Sequence, residues 1–143
     1  MPYRYLEEIA IADVAFEAEG ETIRELFESA GFAITNTMIR DLKQIERKIV
    51  KSFEVEAEDI EMLLFNFLQE IIFYKDAEQL LFNKFDLDIE QKEDRCFLIA
   101  KAYGEEIDPK KHETVVDVKA VSLHRFKVEE TGKGWRATVI VDV

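Results

Sequence analysis

Few side chains in this sequence belong to types that do chemistry unaided. There is one cysteine, Cys96, and there are two histidines, His112 and His124. A Cys–His pair would need an accessible thiolate. Cys96 sits instead in an apolar alternating stretch, where a thiol serves as small packing. His112 lies in the run Lys110-Lys111-His112-Glu113 and reads as a surface or loop-capping histidine. His124 falls in a strand on the face opposite Val121 and Leu123, where a half-buried ring needs a hydrogen-bond partner. No G-x-S-x-G, phosphate-binding loop or dinucleotide fingerprint occurs, and the five glycines are scattered.

Two aspartates are less ordinary. Asp13 opens a strand after the apolar run Ile9-Ala10-Ile11-Ala12. Asp142 is set inside Val139-Ile140-Val141-Asp142-Val143. A carboxylate framed by apolar neighbours is costly if left unpaired, so each needs a cation, a basic side chain or backbone N–H groups. They stand 142 − 13 = 129 positions apart, and nothing in the sequence alone brings them together. The chain-terminal carboxylate expected at Val143 would add oxygens beside Asp142. Three such groups together would suit a hard cation such as Ca²⁺ or Mg²⁺. The plainer alternative is separate solvation of each aspartate at a sheet edge. A self-standing metal-dependent hydrolase could be built on Asp13 and Asp142 with His124 as base, but the chain offers it neither a nucleophile nor a phosphate cradle.

Overall charge narrows the partners. Lys plus Arg number 19 against 31 Asp plus Glu, a formal net charge of −12. A field this negative repels polyanions, so direct nucleic-acid binding is not expected and a partner with a basic surface is. No apolar run is long enough to span a membrane. The opening residues reach Glu7-Glu8 before any signal-peptide stretch could form. A cytoplasmic location is the expectation, and a lone cysteine is compatible with a reducing compartment.

Those candidate groups must be positioned by elements whose periods alternate between 2 and 3.6. Tyr3–Leu6 and Asp13–Glu19 read as strands, the second closed by Gly20. From Glu21 the stripe Ile23, Leu26, Phe27, Ala30 and Ile34 makes a helix, weakened by about 1 kcal/mol by the internal Gly31. Lys48–Glu56 reads as a strand. Asp59 is an N-cap for a core helix carrying Ile60, Leu63, Leu64, Phe67, Leu68, Ile71 and Ile72. Strands follow at 84–89, at 95–103 (stopped by Gly104), within 114–128 and at 135–143, with a loop at 105–113 and a turn at 130–134. Short turns between strands favour antiparallel pairing. The expected fold is α+β: a single-domain sandwich over residues 1–143, with a largely antiparallel or mixed β-sheet and two main helices packed on one face.

In order and spacing, several blocks resemble the archease family, the small partner proteins of the tRNA-splicing ligase RtcB. They are Ala10-Ile11-Ala12-Asp13 with Gly20-Glu21-Thr22, Leu26-Phe27-Glu28-Ser29-Ala30, Tyr103-Gly104-Glu105, Asp108-Pro109-Lys110-Lys111-His112, Val118-Lys119-Ala120-Val121-Ser122, Gly134-Trp135 and Val141-Asp142-Val143. The family's H-T-A-D opening stands here as Ala10-Ile11-Ala12-Asp13, so a role for its histidine does not carry over. The resemblance implies a non-catalytic protein cofactor that promotes guanylylation and multiple turnover of the RNA ligase. It implies a divalent cation, calcium foremost, on Asp13, Asp142 and Val143. Lys119 and His112 are the expected partner contacts. A general acidic chaperone of RNA-processing proteins is the remaining alternative.

Overall fold

The computed structural model describes residues 2–6 and 13–143. The apolar run Ile9–Ala12 and the Ala10-Ile11 departure lie outside the described residues. The described chain runs β1 (Tyr3–Leu6), β2 (Asp13–Gly20), α1 (Ile23–Met38), a 3-10 turn (Leu42–Gln44), β3 (Ile49–Ala57), α2 (Ile60–Glu78), β4 (Leu80–Gln91), β5 (Cys96–Glu106), β6 (Ala120–Thr131) and β7 (Gly134–Asp142).

Local chemistry starts both helices where the sequence indicates. Thr22 Oγ1 accepts the Glu25 N–H at 3.1 Å, and the Glu25 carboxylate accepts the Glu21 N–H at 3.0 Å. The first satisfies a donor that a helix start leaves free, and the second ties the residue before the cap to the first turn. Asp59 accepts the Met62 N–H at 2.8 Å. α2 ends at Gln79, which takes the left-handed conformation (φ 55°) and donates its N–H to Tyr74.

The α+β class holds, and every strand pair is antiparallel. The strands form two sheets, however, where the sequence suggests one with helices on a single face. Their orders are β1-β2-β7-β6 and β3-β5-β4. Both helices touch strands of each sheet and make the middle layer. The reason lies in α2. Its apolar residues are too broad a stripe to be covered from one side, and a helix apolar on most sides must be enclosed. Leu63, Leu64, Phe67, Leu68 and Ile71 are each at most 1% exposed. No described helix is long and apolar enough to cross a membrane.

Two glycines act differently from the sequence expectation. Gly31 looks like a weak point in α1, but a Cβ there would lie 2.8 Å from the Phe85 ring of β4, so the helix packs against β4 at that point. Gly104 does not stop β5, which continues through it to Glu106. It faces the bulge where Asn83 is extra, with Phe82 opposite Gly104 and Lys84 opposite Tyr103. The Leu81 carbonyl approaches so closely that a Cβ would fall well inside van der Waals contact with it. Gly104→Ala should therefore cost about 2–3 kcal/mol as overpacking against rigid backbone. A urea titration checks this, and an unchanged midpoint would show that the bulge yields.

The β6 strand also departs from simple alternation. Val121 is buried, but Leu123 is 62% exposed. An irregularity between Ser122 and Lys127, with Arg125 at φ 58°, breaks the alternation that would have placed both on one face.

A carboxylate pair at the sheet end

The β2–β7 ladder decides how the two unusual aspartates relate. Asp13 is the direct partner of Asp142, and Val14 of Val141. Opposed residues of an antiparallel pair share a face, so both carboxylates project on the same side. Phe16, Val139 and Val141, which alternate with them, are fully buried toward the helices. The aspartates thus lie on the face turned away from the helix layer. Asp13 is half-buried and Asp142 is exposed. β6 completes the arrangement from the other side: Ala120 pairs with Asp142, and the Lys119 N–H donates to the Asp142 carbonyl at 2.8 Å.

Like charges directly opposed on a sheet repel. Among the described residues, neither aspartate forms a side-chain ion pair or hydrogen bond. The exposed Lys119 side chain forms no such pair either. Two opposed carboxylates, with the main-chain carbonyl of the adjoining Val143 next in sequence, offer only oxygen donors, which fits a hard cation in kind. It falls short in number: among the described residues no three His, Cys, Asp or Glu side chains gather closely enough to hold a metal. A cation here would take its remaining ligands from water or a partner.

The other sequence candidates go elsewhere. Of the two readings of His112, surface or loop-capping, the structure favours the second and corrects its place as a partner contact. It is 1% exposed. Its Nδ1 accepts the Asp108 N–H at 2.9 Å, so the ring proton sits on Nε2, 2.9 Å from Glu105. His112 therefore caps the loop that follows β5 from within and offers almost no surface to a partner. His124 is exposed instead of half-buried, with its N–H donated to Ser122 Oγ. Cys96 is buried, and burial, aided by the Asp59 charge, pushes its thiol up, as suits inert packing.

Two important groups were missed in the sequence. Glu105, 6% exposed, accepts the Glu46 N–H at 2.7 Å and a hydrogen bond from Lys111 Nζ at 3.0 Å, besides meeting His112. Burial pushes its carboxyl up, but Lys111, the Glu46 N–H and His112 together outweigh burial and hold it at about 2. Lys75, 9% exposed on α2, reaches Asp117 at 2.6 Å and the Val118 carbonyl at 2.8 Å, and also meets Asp76. It pins the chain just before Lys119. A signal for it existed: Lys75 continues the 3–4 spacing of Ile71 and Ile72, and a cation on an apolar stripe must have partners.

Residues 3–143 match the model of the Archease protein family. The chain belongs to the archease family. It is 39% identical to protein archease of Pyrococcus furiosus over 133 residues, which cover 92% of this chain and 93% of that one. It is 33% identical to protein archease of Methanosarcina mazei over 142 residues, covering 99% and 95%. The solution structure of protein 1598 of Methanobacterium thermoautotrophicum superposes with a TM-score of 0.86 at 33% identity, covering 99% of each chain. A crystal structure from Thermotoga maritima, described as an archease and possible chaperone, superposes at 0.57 with 18% identity over 98% of this chain and all of that one. This last likeness speaks to the archease fold alone.

Proposed function

We propose that this archease-family chain is a non-catalytic protein cofactor of an RtcB-type tRNA-splicing RNA ligase. It promotes guanylylation and repeated turnover of the ligase, and it acts through a divalent cation, calcium foremost, at Asp13, Asp142 and Val143. Family membership supports the biological setting. The observation that carries the site is the direct pairing of Asp13 with Asp142. Among the described residues nothing neutralises that pair, so it favours a cation.

Asp13 and Asp142 hold the cation from two neighbouring strands, and the Lys119–Asp142 backbone bond keeps the adjoining chain in place. A bound divalent cation would supply concentrated positive charge beside phosphate oxygens. The incomplete donor set suits a site finished by the partner. The charge of −12 steers the chain toward a basic protein surface and away from direct contact with RNA. Lys119, exposed beside the pair, is the proposed partner contact. No membrane is involved, and the cytoplasm is the proposed location.

The test is a guanylylation assay of the ligase with and without this protein across a chelator titration. Stimulation should disappear with chelator and with Asp13→Ala or Asp142→Ala. Undiminished stimulation by a folded double variant would overturn the reading. Calcium alone should also raise the stability of the wild type, by about 2.7 kcal/mol at a hundredfold excess over Kd, and leave Asp142→Ala unmoved. Because the Thermotoga maritima relative is described as a possible chaperone, a general chaperone is the second reading. Suppression of aggregation that survives both aspartate replacements would favour it.

A further inference from the structure

The outer face of the three-stranded sheet is a second surface, on the far side of the helix layer from the Asp13–Asp142 pair. Down its central strand, β5, run Phe97, Ile99, Lys101 and Tyr103, which alternate with the buried Leu98, Ala100 and Ala102. Ile99 is 53% exposed. Carboxylates flank this stripe on both sides. Ile99 is paired with Glu54 on β3 and Asp88 on β4, and Phe97 with Glu56 and Glu90. Asp86 extends the β4 row opposite Lys101. A cleft of about 450 Å³ opens between Glu54, Glu56, Glu90 and the two apolar side chains.

Lys101 stands within the central row between Ser52 and Asp86, without a side-chain partner among the described residues, and the other cations of this face are engaged with neighbours. Lys84 lies over the Tyr103 ring at 5.0 Å and Lys92 over Phe97 at 5.4 Å. Arg95 meets Glu56 at 3.3 Å, and Tyr103 donates to Asp86 at 2.9 Å. Glu54, Asp88 and Glu90 have no side-chain partner among the described residues, and two of them bracket Ile99.

We infer that this face is a docking site for a basic amphipathic helix of a partner protein, laid along β5. The dimensions match. Strands lie about 4.8 Å apart, so the two acidic rows flanking β5 are separated by roughly 10 Å, close to the 10–12 Å diameter of a helix with its side chains. A helix lying there puts its apolar stripe on Ile99 and Phe97 and brings Lys or Arg on each flank over a carboxylate row. Charge disfavours the other occupants. A second copy pairing face to face would bring its own unpaired Glu54, Asp88 and Glu90 against the same three, and those rows repel a nucleic acid's phosphates. The site shares no residue with the aspartate pair, so it stands or falls independently of the ligase proposal.

The experiment uses the full chain and two synthetic peptides of about 18 residues, long enough at 1.5 Å per residue to cover the stripe. One has leucine on one face flanked by lysine. The other has the same composition scrambled to destroy the amphipathic pattern. Amide chemical shifts should move along β3, β4 and β5 with the first peptide, which should bind at least about tenfold more tightly than the second, a difference of ~1.4 kcal/mol. Ile99→Glu, at an exposed position, and the double change Glu54→Lys with Asp88→Lys should each abolish that preference. Asp13→Ala should not. Equal binding of the two peptides, or shifts confined to other surfaces, would overturn the proposal. So would a dimer in sedimentation that Ile99→Glu dissolves, which would assign the face to a second copy.

Discussion

Replacing Glu105 with alanine should cost the fold about 3–5 kcal/mol, the usual penalty for removing one partner of a buried charged network. The carboxylate is the shared acceptor for the His112 ring N–H, the Glu46 N–H and the Lys111 ammonium. Without it, the buried His112 donor has no partner, and the Glu46 N–H loses its acceptor. Lys111 and Lys48, being more exposed, can turn to water and contribute little of the loss. Urea midpoints at constant slope measure the change. A loss below about 1 kcal/mol would mean that water replaces the carboxylate. Acid provides a second reading. Glu105 is held at about 2 in the folded protein against an ordinary 4.5. Its contribution is therefore complete above about 4.5 and drains away as pH falls toward 2. Glu105→Gln should flatten the stability profile in that window, and parallel profiles for wild type and variant would contradict the network described.

Phe67→Ala should be of similar size, about 3–5 kcal/mol, for a different reason. The ring is fully buried on α2. It stacks on Phe27 of α1 at 5.8 Å, meets Phe85 of β4 edge-on at 5.5 Å and lies 6.2 Å from Phe53 of β3. Removing it opens a cavity where the helix layer meets the three-stranded sheet, and close-packed aromatic neighbours on three elements cannot collapse into it without moving backbone. Phe67→Leu, which keeps much of the volume, should cost about 1.5 kcal/mol or less. Equal losses for the two variants would show that ring geometry matters there and not volume alone.

Phe67 also shows what was legible beforehand. Its spacing with Leu63, Leu64, Leu68, Ile71 and Ile72 marked a core helix, and Asp59 marked its start, because both signals lie within a few residues of each other. The division into two sheets was not legible. Strand period tells which face of a strand is buried but not which strand it pairs with. The same limit applied to the carboxylate site. Asp13 and Asp142 could be singled out by their apolar surroundings, yet their meeting depends on a ladder that no local pattern encodes. For His112 the sequence leaves surface and loop-capping roles open, because a polar run such as Lys110-Lys111-His112-Glu113 looks solvated. Its burial depends on Glu105, which in sequence is only one more acidic residue in an acidic chain. Simple alternation puts Leu123 on the same face as Val121, and an irregularity that begins one residue earlier turns it out.

The pairing of Asp13 with Asp142 has a consequence for the order in which this protein matures. The two carboxylates of the proposed site sit on strands separated by the whole of α1, β3, α2, β4, β5 and β6. During synthesis β2 must wait, its β7 partner not yet made, while everything between is produced and most of it can already pack. The closing ladder is among the longest-range contacts available and is expected late in folding. A nascent or partly folded chain therefore lacks the pairing on which the proposed cation site rests. Cation affinity would act as a certificate of completion, issued only when β7 has been laid against β2.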